Sequence, residues 1–196
     1  MITRSDDGKI LTMPARAKAT VEDLYRFDGD GKAELVNGEL VVMPLTGGLH
    51  GHAVMQISAS LNQFARRTRR GVAFGDSVGF LVRLPNRRSF SPDAAFYTGR
   101  IDSKFVEGAP VFAVEVRSEE DYGPAAERAM AAKRADYFAA GTLVVWDVDV
   151  LRGGWIRVFR ASDPENPTMY RRGEIAEAEP AVPEWTFPVD DAFLPE

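Results

Sequence analysis

The chain has no cysteine among its 196 residues, so disulfide bonds, thiolate zinc clusters and thiol nucleophiles are excluded. It also lacks a Gly-rich phosphate-binding loop, a dinucleotide-binding fingerprint and a pattern typical of a serine–histidine triad. No apolar run is long enough to span a membrane, and the N-terminal residues lack the apolar segment of a secretory signal. We therefore expect a cytoplasmic protein that does not bind membranes.

The composition is typical of one globular domain, since 45% of the residues are hydrophobic and 27% are charged, enough for a sizeable core. Residues 1–19 show no periodicity and are interpreted as an N-terminal arm, and residues 20–196 as a single domain. The net charge of −5 argues against nonspecific coating of nucleic acid. One short region could still form a basic rim, because it contains Arg66, Arg67, Arg69, Arg70, Arg87 and Arg88.

An N-terminal β-hairpin is predicted where Asn37-Gly38 separates two apolar segments, residues 33–36 and 39–43. With a two-residue turn, strand alternation places Glu34 and Glu39 on one face of the hairpin. This acidic face is either solvated, the more usual case, or borders a cleft. In the second case Glu39 could supply a third carboxylate to a metal site.

The spacing of apolar residues indicates the remaining elements. A long amphipathic helix is predicted over residues 49–69, with His50 facing inward in its first turn. Three strands follow, over residues 77–84, 90–97 and 111–117, and then a helix over 124–140 and strands over 143–146 and 155–160. The core order, αβββαβ, predicts an α/β (α+β) fold with a mixed sheet flanked by helices.

Two carboxylates lie on neighbouring predicted strands, Asp93 before an apolar run and Glu115 within one. A charge inside a strand-like apolar run is costly unless it is paired or binds a metal. Lys133 lies on the inward stripe of the following helix, and the three groups together suit a divalent-metal site for phosphodiester chemistry. In the simpler alternative Asp93 is a turn residue, and Lys133 lies along the core with its ammonium in solvent.

The motifs occur in an order that resembles a known family. From about residue 20 to 160 the shared features are Glu34-Leu35-Val36-Asn37-Gly38-Glu39-Leu40, Pro44, His50-Gly51, Pro92-Asp93, Glu115-Val116, Ser118, Lys133, Tyr137, Gly141, Trp146 and Asp149. This pattern is similar to the PD-(D/E)xK nucleases of the restriction-endonuclease-like superfamily, and within them to the Uma-two family of endonucleases.

The resemblance implies a restriction-endonuclease-like fold and a metal-dependent endonuclease that hydrolyses phosphodiester bonds in DNA. Mg²⁺, or Mn²⁺, would bind Asp93, Glu115 and the carbonyl of Val116. In that family the lysine of the third strand is thought to have moved to the next helix, and Lys133 matches the moved position. Arg117 occupies the third-strand position, which is usually uncharged in the family, so either cation could serve the site.

We expect Lys133 to orient the attacking water and Arg117 to hold substrate or brace an acid, because a lysine is a compact charge and an arginine a planar fork. His50 would contact the phosphate or help to position the water, or else it simply caps the helix or packs in the core. A homodimer is expected, since duplex DNA has two strands to cut.

Two alternatives remain open at this point. The first is a catalytically inactive nuclease-like fold that serves as a nucleic-acid-binding or protein-interaction module, which the acidic net charge and Arg117 favour. The second is glycoside hydrolysis by the same two acids, Asp93 and Glu115, which would need an open sugar cleft and no metal.

Overall fold

The structure, a computed structural model, describes residues 18–195. The predicted N-terminal arm lies almost entirely outside these residues. None of the described helices is long and apolar enough to cross a membrane. In chain order the elements are α1 (Val21–Tyr25), β1 (Lys32–Val36), β2 (Glu39–Met43), α2 (Gly48–Thr68), β3 (Val72–Phe74), β4 (Phe80–Leu81), β5 (Ser89–Phe90), β6 (Ala94–Tyr97), β7 (Val106–Glu107), β8 (Phe112–Val116), α3 (Pro124–Ala139), β9 (Val144–Asp149), β10 (Trp155–Arg160), β11 (Asp163–Arg171), β12 (Ile175–Glu177), β13 (Thr186–Pro188) and a 3₁₀ turn (Val189–Ala192).

A six-stranded mixed sheet forms the centre of the fold, with the strand order β11-β10-β9-β8-β6-β3. Strands β6 and β8 are antiparallel, whereas β8 and β9 are parallel and are joined by α3. Helix α2 packs on one face of the sheet and α3 on the other. The predicted α+β class and the mixed sheet flanked by helices are confirmed.

Strand alternation decides which side chains face each helix. Ala94 and Val114 belong to the core cluster that contains the inward side chains of α2. Ala95 and Ala113 belong to a second cluster, which contains Tyr137 of α3. Positions 93 and 115 therefore lie on the α3 side of the sheet.

The predicted hairpin is confirmed, with Val36 opposite Glu39 and a turn in which Asn37 and Gly38 have φ values of 53° and 78°. Both values are left-handed, as a type I′ turn requires. The hairpin does not project into solvent, because the Leu35 carbonyl accepts from the Arg88 N–H at 2.8 Å. The interpretation of Glu34 as solvated is wrong, since docking of the hairpin buries it.

The prediction of a core strand over residues 77–84 is wrong. Only Phe80–Leu81 is extended there, and it pairs with β5 and β7 in a separate three-stranded sheet. The core position is taken by β3, which pairs with β6. The strand predicted over 90–97 is divided at Pro92, because proline has no N–H to donate to a ladder. The nine-residue strand β11 pairs with β10 at the edge of the central sheet.

The arginine-rich region does not form one rim in the structure. Arg66, Arg67, Arg69 and Arg70 are exposed at the C-terminal end of α2, whereas His50 lies in its first turn. Because a helix of 21 residues is about 30 Å long, these four arginines lie far from His50. Arg87 is buried against α3 instead.

Candidate active site

Asp93 and Glu115 are brought together by the pairing of β6 with β8. Ala94 is opposite Val114 in this antiparallel ladder, so one further step places position 93 opposite position 115. The ladder continues to this step, because the Asp93 N–H donates to the Val114 carbonyl at 3.0 Å. The two carboxylates therefore occupy neighbouring strands on the same face, as the sequence predicts.

Helix α3 supplies two partners to Glu115. The Lys133 ammonium lies 2.8 Å from one carboxylate oxygen, and the Tyr137 hydroxyl donates to the other at 2.7 Å. Lys133 and Tyr137 are one helical turn apart, so both point to the same spot on the sheet. The predicted approach of Lys133 to the acids is thus observed at Glu115.

Three groups hold Asp93. The Val116 N–H donates to Oδ2 at 2.8 Å, and His50 Nε2 lies 3.3 Å from the same oxygen. The other oxygen, Oδ1, accepts from the Lys32 ammonium at 2.7 Å. His50 is buried, and its Nδ1 lies 3.0 Å from Thr46 Oγ1. The structure therefore places His50 against an acid of the site.

The hairpin adds a third buried carboxylate, that of Glu34. One of its oxygens lies 2.9 Å from the Lys133 ammonium and accepts the Ser91 N–H at 2.9 Å. The other oxygen accepts a hydrogen bond from Arg87, which also donates to Asp136 of α3 at 2.8 Å. Lys133 is therefore fixed between two carboxylates, one from the hairpin and one from the central sheet.

The surroundings shift the pKa values of the two central acids in opposite directions. Burial raises the pKa of Glu115, and the Lys133 charge offsets only part of this effect. Burial alone would also raise the pKa of Asp93, but the His50 hydrogen bond and the Lys32 charge outweigh it, so the pKa falls well below its usual range. The protein thus favours a charged Asp93 and disfavours a charged Glu115.

The cationic and phenolic partners are held in their protonated forms. Burial would lower the pKa of Lys133, but the carboxylates of Glu115 and Glu34 raise it above its ordinary value. Burial and the nearby Glu115 charge raise the pKa of Tyr137 well above its ordinary value. Lys133 is therefore an ammonium and Tyr137 a neutral donor at physiological pH.

The cluster has the charge and the donor atoms for a hard divalent cation. Its ion pairs join five carboxylates to three ammonium or guanidinium groups, so these groups sum to two negative charges when all five carboxylates are ionised. All four oxygens of Asp93 and Glu115 already accept a protein donor, but Asp93 Oδ1 and the two Glu115 oxygens each have a second lone pair. Oxygen ligands of this kind suit Mg²⁺ or Mn²⁺.

The metal would rest on few protein ligands. Within residues 18–195 no group of three or more histidine, aspartate or glutamate side chains is arranged to surround an ion. Mg²⁺ typically binds one or two carboxylates and completes its shell with water and substrate phosphate. Asp93 and Glu115 are two carboxylates that could supply such a small ligand set.

Two predicted site residues lie apart from the cluster. Glu39 is exposed in β2, and the described ion pairs of the cluster do not include it. Arg117 faces the α3 side but is bound to other acids, with bonds of 2.7 Å to each oxygen of Asp147 and 2.5 Å to Glu127. Of its two predicted roles, the structure is consistent with bracing an acid.

Sequence reasoning missed Lys32, Asp76 and Arg87 as partners of the site. Lys32 is 61 positions from Asp93, and its ammonium also lies 2.6 Å from Asp76. One signal was available, because a hairpin whose acidic face carries Glu34 needs cations if it is buried. The choice of cations depends on how the hairpin docks, which the local pattern does not contain.

Comparison with known proteins identifies a family and a shared fold. A sequence model of the family Uma2, described as "Putative restriction endonuclease", matches residues 19–190. A crystal structure described as "a putative nuclease belonging to DUF820", from Anabaena variabilis, has the same fold. Its TM-score is 0.71 at 17% sequence identity, and the alignment covers 89% of this chain and 97% of that one. No curated protein matches the chain significantly. Because the family model covers most of its length, the chain belongs to the Uma2 family.

Proposed function

We propose that the protein is a metal-dependent endonuclease that hydrolyses phosphodiester bonds in DNA. The observation that carries the proposal is the placement of Asp93 and Glu115 on paired strands, with the Lys133 ammonium 2.8 Å from Glu115. Membership of a nuclease family favours phosphodiester over glycosidic substrates, although the two acids alone would allow either chemistry.

Asp93, Glu115 and the Val116 carbonyl are the groups that would hold Mg²⁺ or Mn²⁺. A bound ion of this kind polarises a phosphate and lowers the pKa of an attacking water. The Val116 N–H and His50 fix one oxygen of Asp93, so the carboxylate is oriented before substrate arrives. Such preorganisation reduces the cost of assembling the site at the moment of reaction.

Lys133 is the group that orients the water and offsets charge on the phosphate as the bond breaks. Its two carboxylate partners keep it protonated, and the Tyr137 hydroxyl holds Glu115 beside it. An ammonium that is already in place needs no reorganisation during the chemical step. Arg117 acts indirectly, because its bonds to Asp147 and Glu127 stabilise the strand end that carries Glu115.

A plasmid-nicking assay with and without Mg²⁺ or Mn²⁺ tests the proposal. We expect nicking by the wild type only with metal, and none by Glu115→Gln, which removes charge but little volume. Glu165→Gln is the matched control, because Glu165 is an exposed carboxylate on the edge strand β11 and its loss should leave the rate unchanged. Nicking by Glu115→Gln at the wild-type rate would remove Glu115 from the mechanism.

A second candidate, a nuclease-like module without catalysis, is favoured by one observation. Every carboxylate oxygen of Asp93 and Glu115 already accepts a hydrogen bond from the protein, as in a purely structural ion-pair network. The two candidates differ in metal binding, because an ion that binds only the folded state raises the melting temperature. An unchanged melting temperature in millimolar Mg²⁺ and Mn²⁺ would support the module.

A further inference from the structure

Lys32 is a partly buried cation that contacts the proposed metal site from outside the central sheet. It begins β1 of the hairpin, and its ammonium lies 2.7 Å from Asp93 Oδ1 and 2.6 Å from Asp76 Oδ1. Its side chain is only 16% exposed. It therefore bridges one acid of the site and one acid outside it.

Lys32 contacts the Asp93 oxygen that has fewer partners within the fold and is therefore the more available to a metal. Asp93 Oδ2 is already held from within the fold by the Val116 N–H and His50. Oδ1 is bound by Lys32. A divalent ion bound through Oδ1 would lie beside the ammonium, and like charges at such a separation repel strongly in a partly buried site.

Asp76 offers the ammonium a second partner. It lies in the loop between β3 and β4, and its side chain is 43% exposed, compared with 8% for Asp93. Its Oδ1 also accepts the N–H of Ser77 at 2.7 Å, which orients it toward Lys32. A lysine needs only a rotation of its flexible stem to leave one of two adjacent carboxylates.

We propose that Lys32 is a displaceable internal cation, which occupies Asp93 in the metal-free protein and is held by Asp76 alone once a divalent ion binds. The inference rests on the proposed function, because it concerns the same metal site. Lys32 then sets the metal affinity as a competitor, and Asp76 sets how easily the competitor leaves. A fixed structural ion pair would show neither dependence.

Calorimetric titration of the metal-free protein with Mn²⁺, without DNA, tests the inference. Lys32→Met should bind Mn²⁺ about tenfold more tightly, which corresponds to about 1.4 kcal/mol, because the competitor is gone. Asp76→Asn should bind Mn²⁺ several-fold more weakly, because the ammonium has lost its alternative partner. In a variant that already carries Lys32→Met, adding Asp76→Asn should leave the Mn²⁺ affinity unchanged.

Two controls make the result specific. Lys104→Met removes the same charge from an exposed position and should leave Mn²⁺ affinity unchanged. Lys32→Gln keeps a polar side chain at the site and should also bind Mn²⁺ more tightly than the wild type. It provides the same test if Lys32→Met does not fold.

Each remaining outcome overturns a defined claim. If both Lys32 variants bind Mn²⁺ with the same affinity as the wild type or more weakly, the inference is contradicted, while the proposed function still stands. An equal loss of affinity from Asp76→Asn with and without Lys32 would show that Asp76 acts on the metal directly. Absence of Mn²⁺ binding by the wild type and all variants would overturn both the inference and the proposed function.

Discussion

The two central acids differ at the level of the single residue in how the protein treats their charge. Asp93 is bound by a backbone N–H, an ammonium and an imidazole, which together lower its pKa despite burial. Glu115 has one cation and one neutral hydroxyl, and burial leaves its pKa raised. A charged Asp93 therefore stabilises the fold, whereas a charged Glu115 costs stability until a second cation arrives.

These directions predict a contrast in stability without metal. Asp93 contributes stability above its ordinary pKa of 3.8, and this is lost as pH falls through the lower folded-state pKa. The cost of charging Glu115 disappears as pH falls through its raised pKa. At pH 7 in EDTA, Asp93→Asn should therefore lower the free energy of unfolding by roughly 1–3 kcal/mol, and Glu115→Gln by less. Urea unfolding at pH 7 and pH 3 measures the loss of stability in each variant. The difference between the two losses should be smaller at pH 3 than at pH 7. A larger loss of stability from Glu115→Gln than from Asp93→Asn at pH 7 would contradict the assignment of Asp93 as the acid whose charge stabilises the fold.

Lys133 is the cation expected to act in the chemical step. Lys133→Met should lower the single-turnover rate of DNA cleavage by about 10²-fold or more, while the dissociation constant for DNA changes little. Arg66→Met, which removes an exposed charge at the far end of α2, serves as the control in the same assay. A normal cleavage rate with weakened DNA binding would assign Lys133 to substrate binding instead.

At the level of elements, the site is assembled from the hairpin, helix α2, the paired strands β6 and β8, and helix α3. The hairpin brings Glu34 and Lys32, the central strands bring Asp93 and Glu115, and α3 brings Lys133. The helices and most central strands could be predicted, because apolar spacing records which face each element buries. Strand β3 could not, because three half-exposed residues carry little periodicity. Strand β11 contains Pro164 and Pro167, which are tolerated only because it is an edge strand.

The same distinction applies to the site. Asp93, Glu115 and Lys133 could be predicted because each stands out within its own element. The Glu34–Arg87 and Lys32–Asp93 pairs, 53 and 61 residues apart, arise only when the hairpin docks. The partners of Arg117 depend on which acids the next strand and helix place beside it. Strand alternation therefore predicts the face of the sheet on which Arg117 lies, but not the acids that it binds.

Arg117 joins three elements and should be important for stability. It connects the end of β8 to Asp147 in β9 and Glu127 in α3, and it is almost fully buried. Arg117→Met would leave the buried carboxylate of Asp147 without its main partner, at a cost of about 3–5 kcal/mol. Glu127→Gln should cost much less, because Glu127 is about half exposed. Guanidinium unfolding compares the two variants, and an Arg117→Met protein as stable as Glu127→Gln would contradict this role.

At the level of the whole molecule, the proposed function requires a chain with a net charge of −5 to bind a polyanion. Its exposed arginines at the end of α2 lie far from the site. A two-fold dimer would present two sites to the two strands of a duplex. We predict a dimer by light scattering at micromolar concentration, and a monomer under assay conditions that cleaves both strands would contradict this expectation.

The central claim is that Asp93 and Glu115 together hold a divalent ion that is required for DNA cleavage. The most direct measurement is the initial rate of plasmid nicking as a function of Mg²⁺ concentration, for the wild type and for Asp93→Ala purified in the same way. We predict a rate that rises with Mg²⁺ and saturates, returns to zero in EDTA, and is absent in Asp93→Ala. Nicking that persists in EDTA, or that Asp93→Ala carries out at the wild-type rate, would contradict the claim.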